Sequence, residues 1–137
     1  MTQIPARNLP DVAGDEARAA RPLDWVGMDR IALPLPIAGE GGAAVLVPAS
    51  VDVAVDLRSA EARGIHMSRL YLRLQDALAS ELPGQAMLRR VLQDCIDSQQ
   101  GLSARARLTI RYGHLLRRPA LASGHSGWKA YPVELVA

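Results

Sequence analysis

Three polar residues, His66, Ser68 and Arg69, lie where an extended segment gives way to a helical one, and they are the best candidates for chemistry in this sequence. Backbone N–H groups and the dipole at the start of a helix favour anions, and an arginine there can add a bidentate contact to a phosphate. The same residues also fit a structural role, in which Ser68 or His66 caps the helix and Arg69 pairs with a carboxylate across an interface. Both interpretations stay open from the residues alone.

The chain offers few side chains for metal binding or nucleophilic catalysis. Metal-assisted hydrolysis needs three or four N, S or O ligands around one ion and an open position for water. The three histidines and the single cysteine, His66, His114, His125 and Cys95, have spacings typical of no ligand motif. Cys95 also falls on the apolar stripe of an expected helix, which predicts a small core residue. We therefore expect no catalytic residue and no metal ligand in this chain.

Arginines alternate with apolar residues in one extended segment and continue beyond it. Such a row could line a basic channel that attracts an anionic substrate, although a charged row on a strand is more often a solvated face. Trp25 and Trp128 could stack on a purine, but each is also suited to anchor against the sheet or a neighbouring subunit. The arginines in question are Arg105, Arg107, Arg111, Arg117 and Arg118.

Composition narrows the class of protein. The 137 residues carry 16 Lys and Arg against 14 Asp and Glu, a net charge of +2 that is too small to indicate nucleic-acid binding. Lys129 is the only lysine, and arginine suits bidentate contacts to phosphate or carboxylate. No apolar run approaches the ~18 residues of a membrane span, and the start lacks the apolar core of a signal peptide. We expect a cytoplasmic protein with no membrane contact.

The hydrophobic period changes twice along the chain. Residues 1–22 show no periodicity and predict a disordered or loosely docked arm, and residues 23–137 predict one domain. Period-two alternation, clearest at Val51, Val53 and Val55, predicts strands, whereas apolar residues at three- and four-residue steps predict helices. We expect strands near 29–37, 44–58, 103–119 and 126–136 and helices near 67–82 and 84–99.

This order, ββααββ, predicts an α+β fold in which a four-stranded antiparallel sheet carries two helices on one face. Pro34 and Pro36 cannot donate to a strand ladder, so the first strand is expected at an edge. Long edges that are not blunted usually pair with another chain. The pattern therefore predicts a homo-oligomer that forms through the sheet edges.

Four segments resemble the type IB GTP cyclohydrolases, whose modules have the tunnelling fold (T-fold). They are LPDV at 9–12, LDWVGM at 23–28, RGIHMSR at 63–69 and GWKAYPVE at 127–134. The stretch at 63–69 is the most specific of them. In that family two tandem tunnelling-fold modules make up a longer chain, and this sequence resembles the first, or N-terminal, half.

The resemblance implies a function in folate biosynthesis, the metal-dependent conversion of GTP to 7,8-dihydroneopterin triphosphate and formate. The family binds its divalent metal, Zn, Mn or Fe, through a Cys-Pro-Cys-type motif, a His and a Glu of the second module, and no residue here matches those positions. This chain alone is therefore expected to be inactive and to bind no metal. The alternatives are a non-catalytic tunnelling-fold scaffold, a pterin-binding or purine-binding subunit, and an inactive fragment.

Overall fold

The computed structural model of the protein describes residues 23–58 and 64–137. Within these ranges the elements follow the predicted order, and a short 3₁₀ turn, Glu40–Gly42, lies in the first hairpin. The predicted arm, 1–22, lies outside the described residues. The elements are β1 (Leu23–Ala38), β2 (Ala44–Leu57), α1 (Met67–Ser80), α2 (Gln85–Ser98), β3 (Ala106–Pro119) and β4 (Ser126–Val136).

The four strands form one antiparallel sheet in the order β1-β2-β3-β4. Both helices pack on the face that carries Val53 and Val55, and the other face is left open. The predicted α+β fold is therefore confirmed. The outer strands are β1 and β4, so the two prolines Pro34 and Pro36 do lie on an edge strand, where their missing N–H groups break no interior ladder.

The first strand begins at Leu23, six residues before the start that the sequence pattern predicted near 29. Its register against β2 shifts twice, between Leu23 and Val26 and again between Met28 and Ile31. Each shift marks an irregularity of the β-bulge kind, which inserts an extra residue and reverses the inward and outward faces of the strand. The period-two pattern is broken at these points, and for this reason the sequence reading began the strand too late.

The second irregularity is held by a side chain of the neighbouring strand. Arg30 has a φ of 54°, a left-handed conformation that is uncommon for a residue with a side chain. Its backbone N–H donates to Asp52 Oδ1 at 2.8 Å. This hydrogen bond, together with one from the Arg111 side chain, lowers the pKa of Asp52. The charged carboxylate thus stabilises the irregular turn of β1.

Aliphatic side chains of leucine, valine, isoleucine and alanine, with one methionine and one cysteine, form the core of this chain, which contains no phenylalanine. Val51, Val53 and Val55 are at most 1% exposed. Burying such a side chain fully stabilises the fold by roughly 1.5–3 kcal/mol relative to leaving it in water. The helices cover these residues with Leu70, Leu74 and Leu78 of α1 and Met87, Val91 and Cys95 of α2.

Cys95 belongs to this core, as the sequence predicted. Its side chain is fully buried and is a free thiol. Burial, with a smaller contribution from Asp94, raises the pKa of the thiol to about 12. The thiolate that would be needed for nucleophilic attack or metal binding is therefore disfavoured.

The sheet consists of two hairpins, β1–β2 and β3–β4, and the pairing of β2 with β3 that joins them is shorter than either hairpin. Pairing of β2 with β3 runs from Ala49 and Tyr112 to Val55 and Ala106, whereas each hairpin continues well beyond that point. Exposed apolar side chains lie on these outer portions, among them Leu46, Leu115 and Trp128. None of the described helices is long and apolar enough to cross a membrane.

Candidate functional site

The candidate site is the start of α1. His66 occupies the N-cap position, and Ser68 and Arg69 lie in the first turn, so the structure brings the three predicted residues together on an exposed surface. The helix begins where the apolar spacing of Leu70, Leu74 and Leu78 begins, because these leucines must face the sheet.

The side-chain cap that the sequence offered as an alternative for this turn is not seen among the described residues. No side chain caps the helix from His66, and Ser68 lies inside the helix rather than at its cap. No ion pair between described residues includes Arg69. Capping by His66 or Ser68 is therefore wrong.

The uncapped turn leaves backbone donors that point away from the helix. The first intrahelical bond runs from the Leu70 N–H to the His66 carbonyl at 3.1 Å, and the Met67 N–H donates to Ile65. The N–H groups of Ser68 and Arg69 precede this ladder, and such groups carry the partial positive charge of the helix dipole. A turn of this kind, beside an arginine, favours a phosphate or carboxylate.

A buried glutamine supports the turn from behind. Gln99, which follows α2, is fully buried, and its Oε1 accepts the backbone N–H of His66 at 2.7 Å. Its Nε2 faces the His66 carbonyl at 3.4 Å and donates to Ser98 Oγ at 3.0 Å. The backbone at the start of α1 is thus tied to the end of α2.

The segment after Gln99 joins the same end of the molecule to β2. The Arg58 N–H donates to the Leu102 carbonyl at 2.9 Å. Asp56 Oδ1 accepts the N–H groups of Ala104 and Arg105 at 2.8 and 2.7 Å. Burial alone would raise the pKa of Asp56, but these hydrogen bonds and the Arg105 guanidinium outweigh it and lower the pKa.

Two arginines of the row, Arg105 and Arg111, pair with carboxylates among the described residues. Arg111 donates to Asp52 Oδ2 at 2.7 Å and to Glu134 Oε2 at 2.8 Å, so it joins β2, β3 and β4. Arg105 lies 3.5 Å from Asp56 Oδ2. For Arg105 and Arg111, these contacts favour a charged solvated face over a free basic channel.

The aromatic residues also serve as anchors for arginines. The guanidinium groups of Arg105 and Arg107 lie 5.1 and 4.5 Å from the ring centroid of Trp25, within cation–π range. Trp25 is half-buried by this arrangement, which supports its anchoring role. Trp128 is 60% exposed, and the Arg117 guanidinium lies 5.9 Å from its ring.

The described residues do not fit a metal centre. Nowhere in 23–58 and 64–137 do three or more His, Cys, Asp or Glu side chains converge in a way that could hold an ion. Cys95 is enclosed in the core, and the candidate turn offers one histidine with an arginine beside it, which is a donor set for anions. A structural zinc or catalytic metal needs three or four such ligands at one point.

Sequence reasoning missed Gln99 and Asp56, two residues on which the site depends. A polar residue just after an amphipathic helix normally points to solvent, and nothing local marks Gln99 as buried. A weak signal existed for Asp56, because a charged residue between Val55 and Leu57, near the end of a buried strand, needs a partner.

The architecture described above, a four-stranded antiparallel sheet with two helices on one face, is that of a tunnelling-fold module. The comparisons with known proteins agree. A family model for type I GTP cyclohydrolase folE2 matches residues 9–137. The GTP cyclohydrolase FolE2 of Pseudoalteromonas atlantica is 41% identical to this chain over 126 residues, which cover 91% of the chain.

The protein therefore belongs to the type I GTP cyclohydrolase folE2 family, which confirms the predicted resemblance to GTP cyclohydrolases at the level of the family. The matched segment makes up 41% of the length of the Pseudoalteromonas relative. The chain thus spans less than half of that relative.

Proposed function

We propose that this chain is the N-terminal tunnelling-fold module of a GTP cyclohydrolase, with 1–22 as an arm and 23–137 as the module. The enzyme converts GTP and water to 7,8-dihydroneopterin triphosphate and formate, an early step of folate synthesis in the cytoplasm. The observation that carries the proposal is the family match over residues 9–137, which includes the candidate turn and all four strands.

The metal belongs to the part of the enzyme that this chain does not supply. A divalent ion such as Zn, Mn or Fe would provide Lewis-acid chemistry in the whole enzyme. The described residues bring no three ligands together, so no step is assigned to a metal held here. The contribution of this chain is structural support and part of the substrate pocket.

The start of α1 binds the triphosphate of GTP in this proposal. Arg69 supplies a planar guanidinium, and the N–H groups of Ser68 and Arg69 supply donors at the positive end of the helix dipole. Ser68 and His66 add side-chain donors on the same exposed turn. The exposure of all three residues supports the assignment, because a buried turn could not receive a ligand from solution.

Assembly proceeds through the sheet edges. The outer strands β1 and β4 expose unpaired backbone groups within the described sheet, and exposed apolar side chains such as Leu115 lie on the outer portion of the second hairpin. Edges of this kind pair with other strands. A homo-oligomer that closes the sheet would satisfy these groups and place neighbouring modules beside the candidate turn.

The test is a chimera, in which this chain replaces the matching segment of the Pseudoalteromonas relative. Formate release and pterin fluorescence are measured with GTP and each of Zn, Mn and Fe, with the unaltered relative as the positive control. Turnover of GTP by the chimera supports the proposal. A folded, oligomeric chimera without turnover contradicts it and favours a scaffold, a pterin-binding subunit or an inactive fragment.

A further inference from the structure

We propose that Gln99 is a positioning residue for substrate binding, which holds the His66 backbone so that the first turn of α1 faces the triphosphate. The inference rests on the proposed function and extends it to a residue that cannot touch substrate. Gln99 is fully buried, whereas Ser68 and Arg69 are exposed. Any effect of Gln99 on GTP binding must therefore act through the turn.

The hydrogen bonds fix which way the Gln99 amide points. Ser98 Oγ donates its only proton to the Cys95 carbonyl at 2.7 Å, so it faces Gln99 as an acceptor. The His66 N–H is a donor and therefore requires Oε1, while the His66 carbonyl and Ser98 Oγ require Nε2. A flipped amide would place donor against donor at 2.7 Å. Only one orientation satisfies all three groups.

The two hydrogen bonds from Gln99 hold His66, the residue at which the chain bends into α1. His66 has a φ of −80° and a ψ of 82°, which is not helical, and the helix begins with the next residue. Gln99 contacts both the N–H and the C=O of His66, so it restrains the two peptide planes on either side of this bend. A change in that bend moves Ser68 and Arg69 together.

The partner groups cannot easily find a substitute. Gln99 Oε1 is the acceptor that the structure shows for the His66 N–H, so removal of the Gln99 amide leaves this N–H with solvent or with a shifted turn. Gln99→Met keeps the length and flexibility of the side chain and removes only its polar atoms. Gln99→Glu keeps an acceptor for the His66 N–H but presents an oxygen to Ser98 Oγ, where Gln99 presents a donor.

The experiment has two measurements on the same set of variants. Hydrogen exchange of the His66 amide is measured in this chain, and KM and kcat for GTP are measured in the chimera described above. The matched control is Gln93→Met, which removes a surface hydrogen bond to Asp97 within α2, the helix that precedes Gln99. Melting temperature is recorded for every variant, because a merely structural role would lower it without changing KM.

We expect Gln99→Met to speed exchange of the His66 amide by at least about tenfold and to raise the KM for GTP by about tenfold, with kcat changed far less. Gln99→Glu, which retains one of the bonds, should fall between Gln99→Met and the parent. Unchanged His66 exchange, or faster exchange with an unchanged KM in an active chimera, would overturn the inference. An inactive chimera of the parent chain would instead overturn the proposed function, and this inference with it.

Discussion

Asp56 Oδ1 accepts the backbone N–H of Arg105 at 2.7 Å, although the two residues are 49 positions apart in the chain. The same oxygen accepts the N–H of Ala104, and the Asp56 N–H donates to the Arg105 carbonyl at 3.1 Å. One carboxylate therefore fixes how the chain enters β3 after the turn that follows α2. Because Gln99 lies in that turn, Asp56 and the candidate site share one structural support.

Replacement of Asp56 should destabilise the module. Asp56→Ala removes the carboxylate that accepts the part-buried N–H groups of Ala104 and Arg105, and hydrogen bonds to a charged group are worth roughly 1.5–3 kcal/mol each. We expect the free energy of unfolding to fall by about 2–4 kcal/mol in urea titration. The control is Asp76→Ala on the exposed side of α1, expected within about 0.5 kcal/mol of the parent. Equal effects of the two substitutions would refute the role of Asp56.

The two lowered aspartate pKa values predict loss of stability in acid. Asp52 and Asp56 bind protons less readily in the folded chain than in the unfolded chain, so their ionised forms favour folding. This stabilisation is complete above the ordinary aspartate pKa of about 3.9 and is lost as the pH falls through the lowered values. The melting temperature should therefore drop steeply below about pH 4, and less steeply in Asp56→Asn. If the melting temperatures of the parent and of Asp56→Asn fell equally with pH, the lowered pKa of Asp56 would be contradicted.

Two glycines in the sheet should respond in opposite ways to the same substitution. A Cβ at Gly27 would lie 1.9 Å from the Val53 carbonyl oxygen, which is backbone and cannot turn aside. A Cβ at Gly113 would meet no atom within 4 Å. We expect Gly27→Ala to cost at least about 3 kcal/mol or to prevent folding, and Gly113→Ala to be neutral or slightly stabilising. Thermal unfolding of both variants tests the described register of β1 against β2.

The Cys95 thiol should be unreactive in the native chain. It is fully buried, and its pKa is raised to about 12, so little thiolate exists at neutral pH. A colourless disulfide reagent that releases a dye should label it only as fast as the chain unfolds, and at once in concentrated urea. Rapid labelling of the native protein would show that the core around α2 is open.

The alternation of apolar residues was enough to predict most of the fold. Val51, Val53 and Val55 all face inward at a period of two. Leu70, Leu74 and Leu78 recur once per turn of α1, because all of these side chains pack in one buried core. The start of β1 was predicted too late because two irregularities interrupt its alternation, and the second of them is held by Asp52, a residue of another strand. The alternation of residues within β1 cannot reveal a hydrogen-bond partner that lies 22 positions away in the sequence.

The site could be predicted only in part for the same reason. His66, Ser68 and Arg69 are adjacent, so their placement on one turn follows from where the helix begins. The burial of Gln99 and the neutralisation of Arg111 by Asp52 and Glu134 depend on residues that the folded chain brings together from distant positions. The sequence alone therefore could not show which arginines of the row pair with carboxylates.

The central claim, that this module supplies part of the GTP site through the first turn of α1, is tested most directly by Arg69→Lys in the chimera. Lysine keeps the charge but loses the planar fork that binds phosphate with two hydrogen bonds. The control is Arg73→Lys, one turn further along the exposed face of the same helix.

The measurement is the KM for GTP and the melting temperature, taken on one preparation of each variant. A phosphate-binding role predicts a KM raised about tenfold for Arg69→Lys, with the melting temperature and the Arg73→Lys variant unchanged. A lower melting temperature or a dissociated oligomer, with GTP bound as tightly as by the parent, would show that Arg69 is structural and would contradict the account.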